Sequence, residues 1–380
     1  MKAFTLLISL SVALWGGCQP AQKDSQTKAP EVSPLSPPPK SGGATGPRIS
    51  GPFVHENLAV FLVHGPDTLT GQCYLTLNEA LVQKKLLVHE TGQVNELFVE
   101  NVSDEEVFIQ AGDIVRGGKQ DRMLGTDFIV EAHSGRLPIE SYCVEHGRWQ
   151  RRGAESDAAF ASSGNYAPSN SLKLAAKQFR NQQAVWNSVA ESQARLAASV
   201  GVSVAATTSP TSLELTLNHA AIQHSRADYL KALSGLAESE PDVLGAVIAI
   251  NGRLSSADVY GAHALFAKLW PRLLESAAVE ALAAATRADA KRVANLSSDE
   301  VRAFLARSSG ARAEHRTISR RVEMIVIDLN ERVLFDTLDT KARTVFVHSN
   351  CLLKESSSAP PERGAVDFAV QRQPPQANGP

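Results

Sequence analysis

Short apolar runs and alternating apolar and polar positions predict β-strands over most of the first 150 residues. Residues 60–63 form one apolar run, and residues 97–100 and 107–110 alternate on either side of the polar stretch 103–106. Strand side chains point alternately to the two faces of a sheet, so the last two segments predict a hairpin across that polar turn.

Two further strands and one helix are predicted in the same half of the chain. The strands lie at 127–132 and 139–144 and would form a second hairpin. The helix spans 77–85, where Thr76 is the expected N-cap and Glu79 completes a capping box. Together these elements predict a strongly bent sheet or partial barrel.

Helical spacing begins after a polar segment, 150–170, whose Gly, Ser, Asn and Ala content indicates a long loop. Helices are predicted at 172–196 and 220–237. A third is predicted over 265–287, with a kink or a restart at Pro271, because proline cannot donate the backbone hydrogen bond that a helix interior requires.

Three strands enclose or follow these helices. The apolar run 243–250 ends in Asn251-Gly252, a dipeptide typical of a two-residue hairpin turn, and two more strands are predicted at 322–328 and 344–348. Strands at both ends of a helical middle favour an α+β fold over repeated βαβ units. The predicted fold is α+β, with a bent antiparallel β-rich N-terminal half (a partial barrel) packed with a helical middle and C-terminal strands.

The N-terminus predicts export. Residues 1–17 carry one basic residue and then an apolar run that is too short to span a bilayer, which is typical of a signal peptide. The sequence Gly16-Gly17-Cys18 resembles the lipobox of bacterial lipoproteins, so we expect lipidation at Cys18, although Trp15 departs from the usual aliphatic residue. The alternative is an ordinary signal peptide with an incidental cysteine.

Both ends of the chain lack the large apolar side chains that a core needs. Residues 18–50 predict a disordered tether, and residues 354–380 predict a disordered tail. The remainder, 51–353, is expected to form one globular domain that is β-rich over 51–150 and helical plus β over 170–353.

The expected partner is the membrane, through lipidated Cys18. Gln19 after that cysteine resembles outer-membrane sorting in enteric-type bacteria, so we expect an outer-membrane anchor facing the periplasm.

Composition and charge narrow the function classes. Hydrophobic content of 43% and charged content of 21% are ordinary for a globular protein, and a net charge of −2 argues against a polybasic nucleic-acid binder. The sequence has no GxGxxG, P-loop, HExxH or GxSxG motif and no metal-ligand spacing, so no cofactor or metal is expected. Cys73, Cys143 and Cys351 permit either a Cys73–Cys143 disulfide or three buried free thiols.

The densest cluster of unusual residues lies at 112–122, Gly-Asp-Ile-Val-Arg-Gly-Gly-Lys-Gln-Asp-Arg. Adjacent glycines permit positive φ and close backbone approach, and the cations around them could bind a phosphate or carboxylate. The alternative is a tight connection between strands whose charges face solvent. The candidate ligand residues are Arg116, Gly117, Gly118, Lys119, Gln120 and Arg122.

A second polar cluster follows at 143–149. Glu145 or His146 could act as acid or base. Arg148 could bind an anion, and Trp149 could stack on a base or sugar ring. The alternative is a Glu–Arg pair with a half-buried tryptophan that anchors the sheet. Since the predicted hairpin of 127–132 and 139–144 would bring the flanking residues to one end, we expect the two clusters to meet at one site.

Several motifs resemble one protein family. They lie at 112–122, 142–145, 147–149, 245–252, 257–259 and 266–270. These segments are similar to the ARG-and-rhodanese-phosphatase-superfamily-associated protein domain, and the resemblance covers nearly all of 51–353. It implies one integrated domain, no established activity, and, by association alone, ligands such as ADP-ribose or other phosphorylated nucleosides. An export signal departs from that setting and puts a role in intracellular nucleotide metabolism in doubt.

Three functions remain open. The protein could bind a small anionic ligand, such as a nucleotide or phosphosugar, at the two polar clusters. It could be an enzyme on ADP-ribose-like substrates, with Glu145 as general base and Lys119 or Arg122 stabilising developing charge. It could also be a non-catalytic structural or interaction module of the cell envelope. A shared pocket would favour the first two functions, and a flat or buried arrangement would favour the third.

Overall fold

The computed structural model describes residues 46–285, 296–307, 311–341 and 343–354, which form 17 β-strands, seven α-helices and one 3-10 helix. The predicted export signal, Cys18, and most of the predicted tether and tail lie outside the described residues. The strands of the first half are β1 (Arg48–His55), β2 (Leu58–His64), β3 (Leu75–Thr76), β4 (Leu86–Glu90), β5 (Glu96–Asn101), β6 (Val107–Ile109), β7 (Asp113–Gly117), β8 (Arg122–Leu124), β9 (Phe128–Val130), β10 (Gly135–Cys143) and β11 (Phe160–Tyr166).

The later strands and the helices complete the list. The strands are β12 (Val243–Ile250), β13 (Arg253–Tyr260), β14 (Ala313–Thr317), β15 (Val322–Asp328), β16 (Arg332–Asp339) and β17 (Val345–Leu353). The helices are α1 (Leu77–Val82), α2 (Asn170–Lys177), α3 (Gln182–Val200), α4 (Leu213–Leu217), α5 (Ala220–Leu233), α6 (His263–Ala284) and α7 (Ser298–Leu305), with the 3-10 helix at Ser234–Glu238. In this part of the chain, no helix combines the length and the apolar character that crossing a membrane requires.

The strands form three sheets, and the fold is α+β as predicted. The largest has the order β1-β2-β12-β13-β17-β16-β15-β14, so β2 pairs with β12, a strand far from it in the sequence. The second has the order β11-β7-β8-β10-β5-β4, and the third is β3-β6-β9. The N-terminal half contains a curled, half-barrel sheet, which confirms the predicted bend.

Both hairpins predicted in the N-terminal half are wrong, although their strands exist. β5 pairs with β4 and β10, whereas β6 pairs with β3 and β9. In the same way, β10 pairs with β5 and β8 and not with β9. Alternation along the sequence identifies a strand but does not identify its neighbour, because every edge offers the same backbone donors and acceptors.

Local turn and capping chemistry was predicted correctly. The side chain of Thr76 accepts from the backbone N–H of Glu79, and the Glu79 carboxylate accepts from the Thr76 backbone in return. Asn251 and Gly252 connect β12 to β13 with φ angles of 49° and 74°, as a two-residue primed turn requires.

Several predicted boundaries were wrong. β1 includes Arg48, Ile49 and Ser50, so the ordered sheet begins inside the predicted tether. The predicted loop 150–170 contains β11, and the predicted helix 172–196 is two helices, α2 and α3.

The longest helix, α6, passes through Pro271 without a restart. Proline removes one backbone hydrogen bond, and the apolar face of α6 compensates because it is buried over most of its length. Among its buried residues are Leu265, Phe266, Leu269, Trp270, Leu273 and Leu274. The last described residue of the predicted helix is Ala285, and Arg287 lies outside the described residues.

Candidate functional site

The two polar clusters predicted from the sequence meet, by a strand pairing other than the predicted one. β8 lies between β7 and β10, with Arg122 opposite Val115 on one side and opposite Cys143 on the other. The Gly117–Asp121 connection and the segment that follows Cys143 therefore leave the same end of this sheet. The backbone N–H of Val144 donates to the Asp121 carbonyl at 3.1 Å and joins the two segments directly.

Two buried carboxylates organise this junction, which we call the ion-pair cluster (Asp121, Arg122, Glu145, Arg148 and Arg152). Asp121 accepts from Arg152 at 2.8 Å, and Glu145 pairs with Arg148 at 2.7 Å. Ser209 donates to Glu145, and Ser212, the N-cap of α4, donates to Asp121 at 3.3 Å.

The two carboxylates have opposite pKa shifts. Burial raises the pKa of Asp121, and its bonds with Arg152 offset this in part. Burial also acts to raise the pKa of Glu145, but the hydrogen bonds from Arg148 and Ser209 outweigh it and lower that pKa. Glu145 is therefore held as an ionised partner of arginine, which is the opposite of what a general base poised near neutral pH needs.

Arg122 is fully buried in the same cluster. It donates to the Gln120 carbonyl at 2.7 Å and lies 3.5 Å from the Glu90 carboxylate. Trp149 covers the outside of this group, with its ring 5.5 Å from the Arg122 guanidinium carbon and 5.2 Å from the Lys119 ammonium. The tryptophan is thus occupied by cations of the protein itself, as a half-buried anchor would be.

The paired glycines serve close packing. Gly117 has φ 121°, and a Cβ there would lie 2.9 Å from the Ala159 carbonyl oxygen. Gly118 has φ 55°, and a Cβ there would lie 2.8 Å from the Glu90 carboxylate and overlap the Phe160 ring. Because neither residue has a Cβ, the loop can pack closely against β11 and the residues just before it. This packing explains the two adjacent glycines without any ligand.

The structure thus brings most of the predicted ligand residues together. Lys119, Gln120, Arg122, Glu145, Arg148 and Trp149 all lie in or against the ion-pair cluster, whereas Arg116 is exposed to solvent on β7. Neither of the two cavities described below is lined by any of these residues. The geometry supports the sheet-anchoring alternative for this cluster.

A different set of charged residues, which was not predicted from the sequence, lines a cavity of about 260 Å³. Lys268, Arg272 and Glu275 occupy positions i, i+4 and i+7 of α6 and therefore share one face of the helix. Residues of α1 and β11 form the other walls, among them Asn78, Glu79, Ser162 and Asn165. We call this space the Arg272 cavity. Its signal in the sequence was the charged spacing within an otherwise apolar helix.

Arg272 is incompletely paired. Its Nη1 donates to the fully buried Asp113, and its guanidinium carbon lies 5.6 Å from the Tyr166 ring. Its Nε and Nη2 atoms are buried and have no hydrogen-bond partner among the described residues. Such groups are rare in native proteins, because leaving a buried donor unpaired costs about 1–3 kcal/mol, and more for a charged group.

The acidic residues around this cavity are partly neutralised. Glu79 caps α1 and lies 3.3 Å from the Lys268 ammonium. Burial raises the pKa of Glu275, with Arg226 opposing the shift from 3.7 Å. Burial likewise raises the pKa of Asp113, the partner of Arg272. The lining therefore holds two basic residues, Lys268 and Arg272, and two acidic residues, Glu79 and Glu275, and burial makes Glu275 easier to protonate than an exposed glutamate.

A second buried network lies in the core, centred on His348. Its Nδ1 is 2.7 Å from Asp127 and its Nε2 is 3.0 Å from Asp258, and its ring stacks on Tyr260 at 4.5 Å. Burial lowers the pKa of His348, but the charges of the two aspartates outweigh it and raise that pKa. We call this set of His348, Asp127 and Asp258 the buried histidine network.

The described residues contain one group with the spacing of a metal site: His64, Glu240 and Asp242. The guanidinium of Arg48 lies among them, 2.7 Å from the His64 ring and 2.6 Å from Glu240. A cationic side chain thus takes the place that a metal ion would need.

Two of the cysteines are buried free thiols, Cys143 and Cys351. The Cys73–Cys143 disulfide allowed by the sequence therefore does not form. Burial raises the pKa of the Cys143 thiol to about 11 and that of Cys351 to about 12, which makes both poor nucleophiles at neutral pH.

Comparison with known proteins gives one match. Residues 46–350 match the family described as the ARG and Rhodanese-Phosphatase-superfamily-associated Protein domain. No curated protein and no solved structure matches the chain.

Proposed function

The chain belongs to the ARG and Rhodanese-Phosphatase-superfamily-associated Protein domain family, and we propose that it binds a small anionic ligand of the nucleotide or phosphosugar kind in the Arg272 cavity. Two observations on Arg272 carry this proposal: the residue lines the cavity, and two buried nitrogens of its guanidinium have no partner among the described residues. A bound phosphate or carboxylate oxygen would supply the missing acceptor.

The chemistry of the cavity fits such a ligand. Guanidinium groups bind phosphate and carboxylate through two parallel hydrogen bonds, and a nearby ammonium adds a point charge. Arg272 is fixed by Asp113 and Tyr166, so little conformational entropy is lost when it binds. Asn78 and Ser162, on the opposite wall, can contact the uncharged part of a ligand.

The ion-pair cluster is less suited to this role. Arg122 and Arg148 also have buried guanidinium nitrogens without a hydrogen-bond partner among the described residues, but these side chains already pair with Glu90 and Glu145, so an anion would have to displace a buried carboxylate. Leaving such a carboxylate without its partner is costly. We therefore assign the 112–122 and 145–149 segments to the scaffold of the protein and the anion to α6.

The test is a thermal-shift titration of the full chain with ADP, ribose 5-phosphate and inorganic phosphate. A bound ligand at 100 times its dissociation constant should add about 2.7 kcal/mol of stability. Lys268→Gln and Arg272→Gln should weaken binding at least several-fold. The matched control is Lys231→Gln, which removes one exposed lysine from α5 and should change nothing.

Because Arg272 also pairs with buried Asp113, its variant could unfold, and Lys268→Gln then decides. The proposal is wrong if none of the three anions stabilises the protein. It is equally wrong if Lys268→Gln binds them as tightly as Lys231→Gln does.

We further propose that the protein is exported and lipid-anchored through Cys18, on the basis of Gly16-Gly17-Cys18 after a short apolar run. Two or more acyl chains would hold it stably on a membrane. Cys18→Ser should accumulate as an unprocessed or soluble species. A Cys18→Ser protein that fractionates with membranes and shows the wild-type mass shift would exclude lipidation.

A further inference from the structure

A second cavity of about 260 Å³ lies at the other end of α6. It is bounded by the N-terminal end of α2, by α3, by the β12–β13 hairpin and by the last turns of α6. Its polar lining is rich in uncharged hydrogen-bonding groups: Ser169, Asn170, Ser171, Ser192, Asn251 and Ser255. We call it the Asn170 cavity.

Asn170 has an unmet hydrogen-bonding capacity although its side chain is almost completely buried, with the residue 3% exposed. Its amide nitrogen donates to the Ser255 carbonyl at 2.8 Å and to the Ser255 hydroxyl at 3.0 Å. Its amide oxygen, Oδ1, is buried and has no partner among the residues that the structure describes.

The orientation of this amide is fixed by its neighbours. The Ser255 hydroxyl donates to Glu280 at 3.3 Å, so it accepts from Asn170. Turning the amide over would set its oxygen against the Ser255 carbonyl, an acceptor against an acceptor. The unpaired atom is therefore an acceptor that requires a donor from outside the described side chains, and leaving it unpaired costs about 1–3 kcal/mol.

The charges of the cavity exclude a strong preference for ions. Glu191 and Glu280 line it together with Arg195 and Arg253, so two negative groups face two positive groups. Its remaining walls are apolar, with Leu196, Ile250 and Val279 among them. A net-neutral lining that combines apolar surface with hydroxyl and amide groups matches a ligand with hydroxyls at its edge and C–H groups on its faces.

We propose that the Asn170 cavity binds an uncharged, polyhydroxylated ligand about the size of one sugar ring, with one ligand hydroxyl donating to the Asn170 amide oxygen. The volume suits this size, since sites for larger drug-like ligands occupy about 300–1,000 Å³. This site is independent of the anion site proposed above, because the two cavities share no lining residue.

The experiment is saturation-transfer NMR on the full chain with D-glucose, D-galactose and D-ribose as probes. At least one sugar should receive saturation from the protein. Asn170→Ala should weaken its binding roughly tenfold, the equivalent of about 1.4 kcal/mol, within the range for a buried hydrogen bond to a ligand. Ala283→Leu, which fills the cavity without removing a polar group, should abolish the signal.

Lys231→Gln is the control, because Lys231 is an exposed residue of α5 that lines neither cavity, and its loss should leave sugar binding unchanged. If Asn170→Ala does not fold, Ala283→Leu carries the test alone. The inference is overturned if no sugar receives saturation, or if the folded variants of this cavity bind as the wild type does. Failure of anion binding would not affect it.

Discussion

At the scale of single residues, the ion-pair cluster shows how a sequence rich in charges and glycines can serve the scaffold. The segments 112–122 and 145–149 do meet, but through β8 and not through the hairpin on which the expectation rested. Their composition could not show that Arg122 and Arg148 already have carboxylate partners, since Glu90 and Asp121 reach them through the strand pairing. Arg272 was not predicted as a site residue, because a single arginine in an apolar helix usually indicates a side chain that faces solvent.

Replacing Gly118 with alanine should destabilise the protein by more than the backbone angle alone explains. The matched control is Gly153→Ala, because Gly153 has φ 57° but a Cβ there meets no atom within 4 Å. A left-handed alanine costs about 1–2 kcal/mol at either position. The overlap with Phe160 should add about 1–3 kcal/mol at Gly118. Denaturant unfolding of both variants measures the difference, and equal losses would contradict the packing role of Gly118.

Replacing Arg122 with alanine should cost about 3–5 kcal/mol of unfolding free energy, because a buried carboxylate at Glu90 and the face of Trp149 lose their partner. Arg116→Ala is the control on the neighbouring strand, where the exposed side chain should contribute no more than about 0.5 kcal/mol. Urea denaturation of the two variants is the measurement. A stable Arg122→Ala protein that has lost ADP or ribose 5-phosphate binding would return the ligand site to this cluster.

At the scale of elements, local signals were reliable where the deciding contacts are local. The capping box of α1 and the Asn251-Gly252 turn depend on residues within four positions of each other, and both were predicted. The pairing of the strands β5, β6, β9 and β10 depends on residues far apart in the sequence, and this pairing was not predicted correctly. The start of β1 was missed for a related reason, because Arg48–Ser50 becomes a strand only by pairing with β2.

Truncation can test that boundary. Arg48, Ile49 and Ser50 pair with His64, Val63 and Leu62, and Arg48 also contacts Glu240 and Asp242. A chain that starts at residue 51 should therefore be less stable than one that starts at residue 46, by an amount visible as a lower Tm. Identical melting curves would show that the first three residues of β1 contribute nothing to the sheet.

At the scale of the whole molecule, the buried histidine network connects elements from distant parts of the chain. Asp127 precedes β9, Asp258 lies on β13 and His348 lies on β17, so one imidazole joins the smallest sheet to the largest. Burial acts to raise the pKa values of both aspartates, but the charge and hydrogen bonds of His348 lower them. The sequence could not reveal this network, because its members are isolated polar residues in strand-forming segments.

The network predicts a defined pH dependence of stability. The raised pKa of His348 means that its contribution is complete below its unfolded value of about 6.5 and is lost as pH rises through the folded pKa. The lowered pKa values of Asp127 and Asp258 give the reverse: their contribution is present above about 3.9 and is lost as pH falls through the folded values. The contributions overlap between about pH 4 and 6.5.

Urea denaturation at intervals from pH 3 to pH 10 measures this profile. His348→Gln should show a smaller loss of stability above pH 6.5 than the wild type. His224→Gln, which changes an exposed histidine on α5, should keep the wild-type profile. A His348→Gln profile parallel to that of the wild type would show that this imidazole does not titrate between the folded and unfolded states.

The order of strands in the largest sheet also determines when, during synthesis of the chain, the sheet can form. β2 leaves the ribosome early, yet its neighbour β12 begins only at Val243, and the sheet is complete only after β17. Until then the nascent chain carries an open apolar edge, which is a template for aggregation. Products of premature termination before Val243 should thus be insoluble and rapidly degraded.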